Sequence, residues 1–302
     1  MKTDLLMLAP LLPEYEAQLA EHFHLIRAHT RAEQQALPVD RSRRVRALVT
    51  NGGEGVSPQL MAALPSLQLI AVNGVGLDKV DLEQARARSI RIVTTDDILT
   101  DAVADQAVAL LLALLRQVCQ ADRFVRQGHW RQGGFAPLGT TLRGQRVGIL
   151  GLGKIGLAIA QRLQPFGVNL GYHNRQPVAD CPYPYHEDLG ALARASDILI
   201  VAAAGGPASR HLVDAHVLEA LGPQGVIVNV ARGSVIDESQ LVARLADGRL
   251  GGAALDVFEH EPQVPEPLLA LDNVVLQPHL GSATLQTRRA MAECVVRAVL
   301  AG

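Results

Sequence analysis

Aromatic side chains are scarce in this chain of 302 residues: phenylalanine, tyrosine and tryptophan together make up 3%, with a single tryptophan, Trp130. That removes the stacking platforms on which single-stranded nucleic acid binds. Positive charge is not in excess, because 28 lysines and arginines face 30 acidic residues for a formal net charge of −2. Without a basic field there is no purchase on a phosphate backbone, so small molecules and protein are the expected partners and nucleic acid is not. The three cysteines, Cys119, Cys181 and Cys294, are scattered with no C-x-x-C pair, which suits a reduced, cytoplasmic setting with incidental thiols. No metal site is expected. Long apolar runs are missing too. The strongest, residues 107–115, lies between Asp105 and Arg116; it is too short to span a bilayer and reads as a buried core helix, so no membrane partner is expected. The apolar start at 5–12 is interrupted by Pro10 and followed by no small-residue cleavage site, which favours a first strand over a signal peptide.

What the chain does have is 48% hydrophobic content in short runs that alternate with helical patterns. One or two α/β domains follow from the length. The central stretch is VGILGLGKIG at 147–156. An apolar strand candidate runs into Gly151, Gly153 and Gly156 in G-x-G-x-x-G spacing, and Ile155, Ile159 and Leu163 recur afterwards at helical spacing. Strand, glycine turn and helix in that order form a dinucleotide site, with the pyrophosphate at the positive helix N-terminus. Before it, strands at 5–9, 25–27, 45–50, 69–72 and 90–94 alternate with helices, one of them opened by Ser57-Pro58. A single helix is expected from Thr100 or Asp101 to about Gln127, ended by Gly128. After the glycine turn, strands at 147–150, 168–173, 198–202, 226–229, 253–257 and 274–276 make a doubly wound sheet. The last helix, from about Thr284, is too short to found a domain and is expected to fold back on the first one.

Ligands of doubly wound sheets lie beyond the carboxyl ends of the strands. Three successive strand ends there carry Arg232, Glu261 and His279. Hydride transfer to a 2-oxo acid needs these three types of residue: a planar guanidinium to hold the substrate carboxylate and polarise its carbonyl, an imidazolium to protonate the developing alkoxide, and a carboxylate to favour that charged imidazolium. Each has a plainer reading, as a helix-start cation, a solvated loop charge and a turn histidine. Their convergence beside a dinucleotide turn favours the catalytic one.

The segments GLGKIG at 151–156, NVARGSVIDE at 229–238, GAALDVFEHEP at 252–262 and QPHLGSAT at 277–284 resemble the D-isomer-specific 2-hydroxyacid dehydrogenases nearly end to end. The resemblance implies two doubly wound parallel-sheet α/β domains: a Rossmann nucleotide-binding domain, residues 100–282, inserted into a flavodoxin-like substrate domain, residues 1–99 plus 283–302. It puts the family's catalytic arginine, glutamate and histidine on Arg232, Glu261 and His279. It also implies cofactor contacts from Gly151, Gly153, Lys154, Ile155 and Gly156, with Asp256 orienting the nicotinamide carboxamide and Ala231 and Gly281 beside the ring. The loop at 202–207, AAAGGP, departs from the family's proline- and threonine-containing version.

NAD-binding units end their second strand on a carboxylate for the ribose 2′-OH. Here that end reads Asn174-Arg175. Arg175 can pair with a 2′-phosphate and Asn174 can donate to it, which favours NADP(H); the alternative is NAD(H), with Asn174 on the 2′-OH and Arg175 stacked on the adenine. Asn51, Gly52 and Gly53, with Val75 and Gly76, form turns whose backbone N–H groups can meet a substrate carboxylate, or serve as ordinary turns. VGLDKVDL at 75–82 and RFVRQGHWRQG at 123–133 resemble the glyoxylate and hydroxypyruvate reductase branch. That implies small 2-oxo acids reduced to D-2-hydroxy acids, a homodimer, and a Trp130 bordering the neighbouring subunit's active site, where the plainer reading has it packing at its helix end. 2-Ketogluconate or aryl pyruvates are the alternative substrates. An NAD(P)H-sensing interaction protein is the alternative from another class.

Overall fold

A computed structural model of the protein describes residues 2–136 and 138–301. The chain divides into two compact units, Thr100–Gly281 and the segments that flank it, Met1–Leu99 with Ser282–Gly302.

The first unit is a five-stranded parallel sheet of β1 (Thr3–Met7), β2 (Phe23–Arg27), β3 (Ala47–Thr50), β4 (Leu69–Val72) and β5 (Arg91–Val93), in the order β2-β1-β3-β4-β5. That is the flavodoxin-like order. Its central strands are apolar on both faces, as a sheet covered on both sides requires: Leu48 and Ile70 face one core cluster, while Val49, Leu69 and Ala71 face another. The second cluster is closed by Ala292, Val295, Val296 and Val299 of the helix Leu285–Leu300, so the C-terminal helix does return to the first unit. Thr284 starts this helix by accepting a hydrogen bond from the Thr287 N–H at 3.1 Å.

The second unit holds β6 (Arg146–Leu150), β7 (Asn169–His173), β8 (Ile198–Val201), β9 (Val226–Asn229), β10 (Gly252–Leu255) and β11 (Val274–Leu276), all parallel, in the order β11-β10-β9-β8-β6-β7. The chain reverses direction across the sheet between β6 and β8, which is the switch point where nucleotides bind. Outside β7 a further strand position is reduced to one bridge, Tyr172 with Tyr185, held by Tyr172 N–H to Pro184 O at 2.9 Å and His186 N–H to Tyr172 O at 2.8 Å. With that bridge counted, the order is that of the Rossmann sheet, its third strand cut to a single residue pair.

The expected single helix from 100 to 127 is two helices, Thr100–Leu115 and Val118–Arg126, bent by 59°. Gln117 makes the corner in the left-handed region, at φ 52°, and the Thr140 N–H takes the Leu115 carbonyl at 2.8 Å. The cause is a change of surroundings. The first helix buries Ala104, Ala107, Leu110 and Leu111, while the second has no buried residue and turns polar. Among the described residues no single helix is long and apolar enough to cross a membrane.

Candidate active site

The glycine turn lies at the end of β6. Gly151 has φ 94°, and a Cβ there would come 2.5 Å from the backbone of Ala203, so the 202–207 loop packs directly on the turn. At Gly156 a Cβ would collide with the Gly151 carbonyl, the close helix-to-strand approach expected of the third glycine. Gly153 is different: a Cβ there would meet nothing within 4 Å. Packing does not demand glycine at that position, whereas a phosphate seated on the helix Lys154–Leu163 does, and that helix begins without a side-chain cap on its N–H groups. The turn therefore fits a dinucleotide pyrophosphate.

Asn174, at the end of β7, accepts the Leu152 N–H through Oδ1 at 2.7 Å. Half of its amide thus braces the glycine turn, a role that the sequence does not reveal, and its NH2 makes no hydrogen bond among the described residues. Arg175 beside it is exposed.

Three strand ends on the other side of the switch point carry the charged groups. After β9, Asn229 is 1% exposed; its Oδ1 accepts the Ala231 N–H at 3.0 Å and its Nδ2 donates to the Arg232 carbonyl at 3.0 Å. The amide clamps the backbone on both sides of the Arg232 side chain, and Arg232 Nη1 donates to the Ala231 carbonyl at 2.7 Å. Gly233 follows with no room for a Cβ, because the backbone of Phe258 and Glu259 lies against it. The Arg232 loop and the loop that carries Glu261 are thereby packed together. A buried Glu238 adds a tie, its Oε1 accepting the Glu259 N–H at 3.0 Å; burial raises its pKa. Glu259 in turn pairs with Arg210 at 2.7 Å and His211 at 2.9 Å.

After β11, His279 has φ 55°. Its loop is held by Asp256, 1% exposed, whose backbone carbonyl takes the His279 N–H at 2.8 Å and whose Oδ1 and Oδ2 take the N–H groups of Leu280 and Gly281 at 2.7 and 2.8 Å. Burial raises the pKa of Asp256 even against those two hydrogen bonds. Asp256, expected on the nicotinamide carboxamide, also shapes the turn that presents His279.

His279 Nδ1 lies 2.8 Å from Glu261 Oε2, and Glu261 Oε1 accepts the Phe258 N–H at 3.1 Å. Burial works to raise the pKa of Glu261, but the hydrogen bond and charge of His279, the Phe258 N–H and the Arg232 guanidinium outweigh it and hold the carboxylate below its ordinary range. With Nδ1 taken by Glu261, Nε2 is the ring atom left to exchange a proton with a ligand.

The first unit presents its own turns at the carboxyl ends of β3 and β4. The Asn51 side chain accepts the Glu54 N–H at 2.8 Å, Lys79 Nζ donates to the Gly53 carbonyl, and the Asn73 N–H reaches Thr50 O at 2.7 Å. The N–H groups of Gly52, Gly53, Val75 and Gly76 donate to no acceptor among the described residues. Trp130 is 70% exposed, as are Phe135 and Leu138 at 95% each, so Trp130 does not pack at its helix end.

A parallel sheet with a glycine turn at its switch point defines the second unit as a Rossmann nucleotide-binding domain. The chain belongs to the D-isomer-specific 2-hydroxyacid dehydrogenase family, whose NAD-binding domain matches residues 108–281, and it is accordingly an NAD(P)-dependent oxidoreductase. It is 46% identical over 291 residues to glyoxylate/hydroxypyruvate reductase A of Arabidopsis thaliana, covering 96% of this chain and 93% of the relative. It is 43% identical over 302 residues to 2-ketogluconate reductase of Gluconobacter oxydans, covering 99% and 95%. Among solved structures it is similar to the NADPH-dependent glyoxylate/hydroxypyruvate reductase of Sinorhizobium meliloti in complex with NADP and malonate, at TM-score 0.93 and 44% identity, covering 100% of this chain and 93% of that one.

Proposed function

We propose that the protein is an NADPH-preferring reductase of small 2-oxo acids of the glyoxylate and hydroxypyruvate type, forming D-2-hydroxy acids. The observation that carries the reading is the 2.8 Å pair of His279 Nδ1 and Glu261 Oε2, in the field of Arg232, on the carboxyl edge of the sheet that bears the glycine turn.

Gly151, Gly153, Lys154, Ile155 and Gly156 would hold the pyrophosphate, the Asn174 NH2 and Arg175 would take the 2′-phosphate, and Ala231, Gly281 and Asp256 would hold the nicotinamide, Asp256 through the ring's carboxamide. When bound, that ring supplies the hydride. Arg232 holds the substrate carboxylate and polarises its carbonyl through the planar fork. His279 delivers a proton from Nε2 to the carbonyl oxygen and takes it back in the reverse direction, while Glu261 stabilises the imidazolium and fixes its ring. Asp256 and Asn229 also hold the loops that present His279 and Arg232. The bare N–H groups at 52–53 and 75–76 supply donors for a carboxylate. The exposed apolar residues Trp130, Phe135 and Leu138 are the contact through which a homodimer forms, burying surface that a lone subunit leaves in water. The 43% identity to a 2-ketogluconate reductase makes that acid the second substrate to test.

Initial rates with NADPH and NADH, each against glyoxylate, hydroxypyruvate, phenylpyruvate and 2-ketogluconate, test the reading. The expected result is NADPH-dependent turnover of the two small acids. Arg175→Ala should raise the KM for NADPH about 10- to 100-fold, the worth of a charge-assisted phosphate contact, and change that for NADH little. Preference for NADH would overturn the cofactor assignment alone; no turnover of any acid would overturn the substrate assignment.

A further inference from the structure

The loop that follows β8 is the feature that the site described so far leaves unused. Its first residues pack on the glycine turn, Ala203 lying against Gly151, and the departure from the family pattern at 202–207 falls here. Beyond a short helical turn, Pro207–Ser209, the chain comes alongside the residues that follow Arg232: the His211 N–H donates to the Ser234 carbonyl at 2.8 Å and the Val213 N–H to the Val235 carbonyl at 3.0 Å. Between these two stretches stand Arg210 and His211. Both point their charge at Glu259, with Arg210 Nη2 2.7 Å and His211 Nε2 2.9 Å from the same oxygen, Oε1.

This is not an ordinary surface pair. The Glu259 side chain is only 10% exposed, and burial works to raise its pKa, but the hydrogen bonds and charges of His211 and Arg210 outweigh it and hold the carboxylate below its ordinary range. A carboxylate only accepts, so His211 carries a proton on Nε2. His211 also has φ 51°, a left-handed conformation unfavourable for a residue with a Cβ, which persists where the surroundings over-determine it. What the pair holds is the segment 258–261. The Glu259 backbone is fixed by other contacts, its N–H on Glu238 at the start of the helix Glu238–Ala246 and its peptide against Gly233. One residue earlier, the Phe258 N–H donates to Glu261 Oε1, the oxygen that His279 leaves over. A displaced Glu259 would carry the Phe258 N–H with it and turn the Glu261 carboxylate on Nδ1 of His279.

We propose that Glu259, anchored by Arg210 and His211, is a positioning residue that sets the placement of the Glu261 carboxylate against His279. All five side chains belong to the second unit. The proposal rests on the reductase reading above only for the reaction in which its effect on rate is measured. Glu259 touches neither substrate nor cofactor in that reading; it acts through two residues of backbone, and a misplacement of about 1 Å at a reacting group is enough to cost up to about 100-fold in rate. The same loop leans on the glycine turn at its other end, so the dinucleotide seat and the catalytic carboxylate share one support.

The test removes the anchor from either side. Glu259→Ala deletes the carboxylate, Arg210→Ala combined with His211→Ala deletes its partners and leaves the charge, and Glu259→Gln keeps an acceptor oxygen without the charge. Both alanine variants are expected to lower kcat about 10- to 100-fold while KM for the nicotinamide cofactor stays within about threefold, and the glutamine variant to recover most of the loss. In parallel, the ring-nitrogen NMR shift of His279 Nδ1, assigned by its loss in His279→Ala, reads the pairing with Glu261 directly. It should move in both alanine variants and stay in Glu259→Gln. A kcat that survives in the alanine variants, a glutamine variant as poor as alanine, or a kcat lost with the ring signal unmoved each overturns the proposal. If Glu259→Ala does not fold, the Arg210/His211 variant decides by the same measures. If wild type reduces no 2-oxo acid, the reductase reading fails alone: a ring signal that moves in the alanine variants and stays in glutamine still supports the anchor, and one that never moves overturns it.

Discussion

The carboxyl edge of the second unit uses buried and half-buried polar side chains to hold its loops. Asn229 clamps the backbone at Arg232, Asp256 takes three N–H groups around His279, Asn174 braces the glycine turn and Glu238 ties down the Glu259 loop. The carboxyl edge of the first unit, built from the same kind of parallel sheet, leaves donors over: four turn N–H groups have no protein acceptor among the described residues. In the proposed reading, the difference is between an edge whose groups are aimed before any ligand arrives and one whose hydrogen bonding a ligand would complete. Groups that move protons have to be held in place beforehand, whereas groups that only grip an anion can be left to it.

On that contrast, changes on the second edge should act on kcat and changes on the first on KM. His279→Ala should have the largest effect, lowering kcat about 1000-fold as loss of a general acid does; a change confined to KM would break the contrast. Asn229→Ala comes next. It leaves the Ala231 N–H and the Arg232 carbonyl without their partner, so stability should drop by about 1–3 kcal/mol in denaturant titrations, and kcat/KM about 10- to 100-fold through misplacement of the arginine.

A smaller effect is expected from Glu261→Gln in acid. The Glu261 carboxylate is held below its ordinary value of 4.5, so its pairing stabilises the fold above that pH and the contribution is lost as the pH falls through the depressed value. Thermal melts from pH 6 down to pH 3 should therefore fall more steeply for wild type than for the variant, by less than about 1 kcal/mol, since the partly exposed side chain is screened by solvent. The smallest change is Gly53→Ala, whose Cβ would come 3.3 Å from Asn51 Oδ1. It should raise the KM for the 2-oxo acid modestly and leave kcat in place; a fall in kcat would mean that the first edge, too, takes part in chemistry.

The parts of this architecture that are local in sequence are legible there. A glycine turn between strand and helix fits within ten residues, and strand ends rich in Arg, Glu and His announce themselves by type. The pairing of Glu261 with His279 follows once the strands are ordered. The braces do not: Asn174 meets Leu152 and Asp256 meets Leu280 across 22 and 24 residues of chain, and nothing near either partner marks the contact. The corner at Gln117 is hidden for another reason. It uses neither glycine nor proline, and the bend follows from where the core stops. The third Rossmann strand, reduced to Tyr185 against Tyr172, is too short to leave a periodic signal.

The helix that completes the first unit has a consequence for the order in which the protein forms during synthesis. The apolar face of Leu5, Met7, Val49, Leu69 and Ala71 is complete by residue 71, yet the side chains that cover it, Ala292 to Val299, lie beyond the whole second unit. At ordinary ribosomal speed, that face waits on the order of 10–40 s for its cover. The contiguous second unit can fold in that interval, so the nascent chain carries a finished nucleotide-binding domain behind an unfinished, sticky sheet, and it is there that a chaperone would have something to hold.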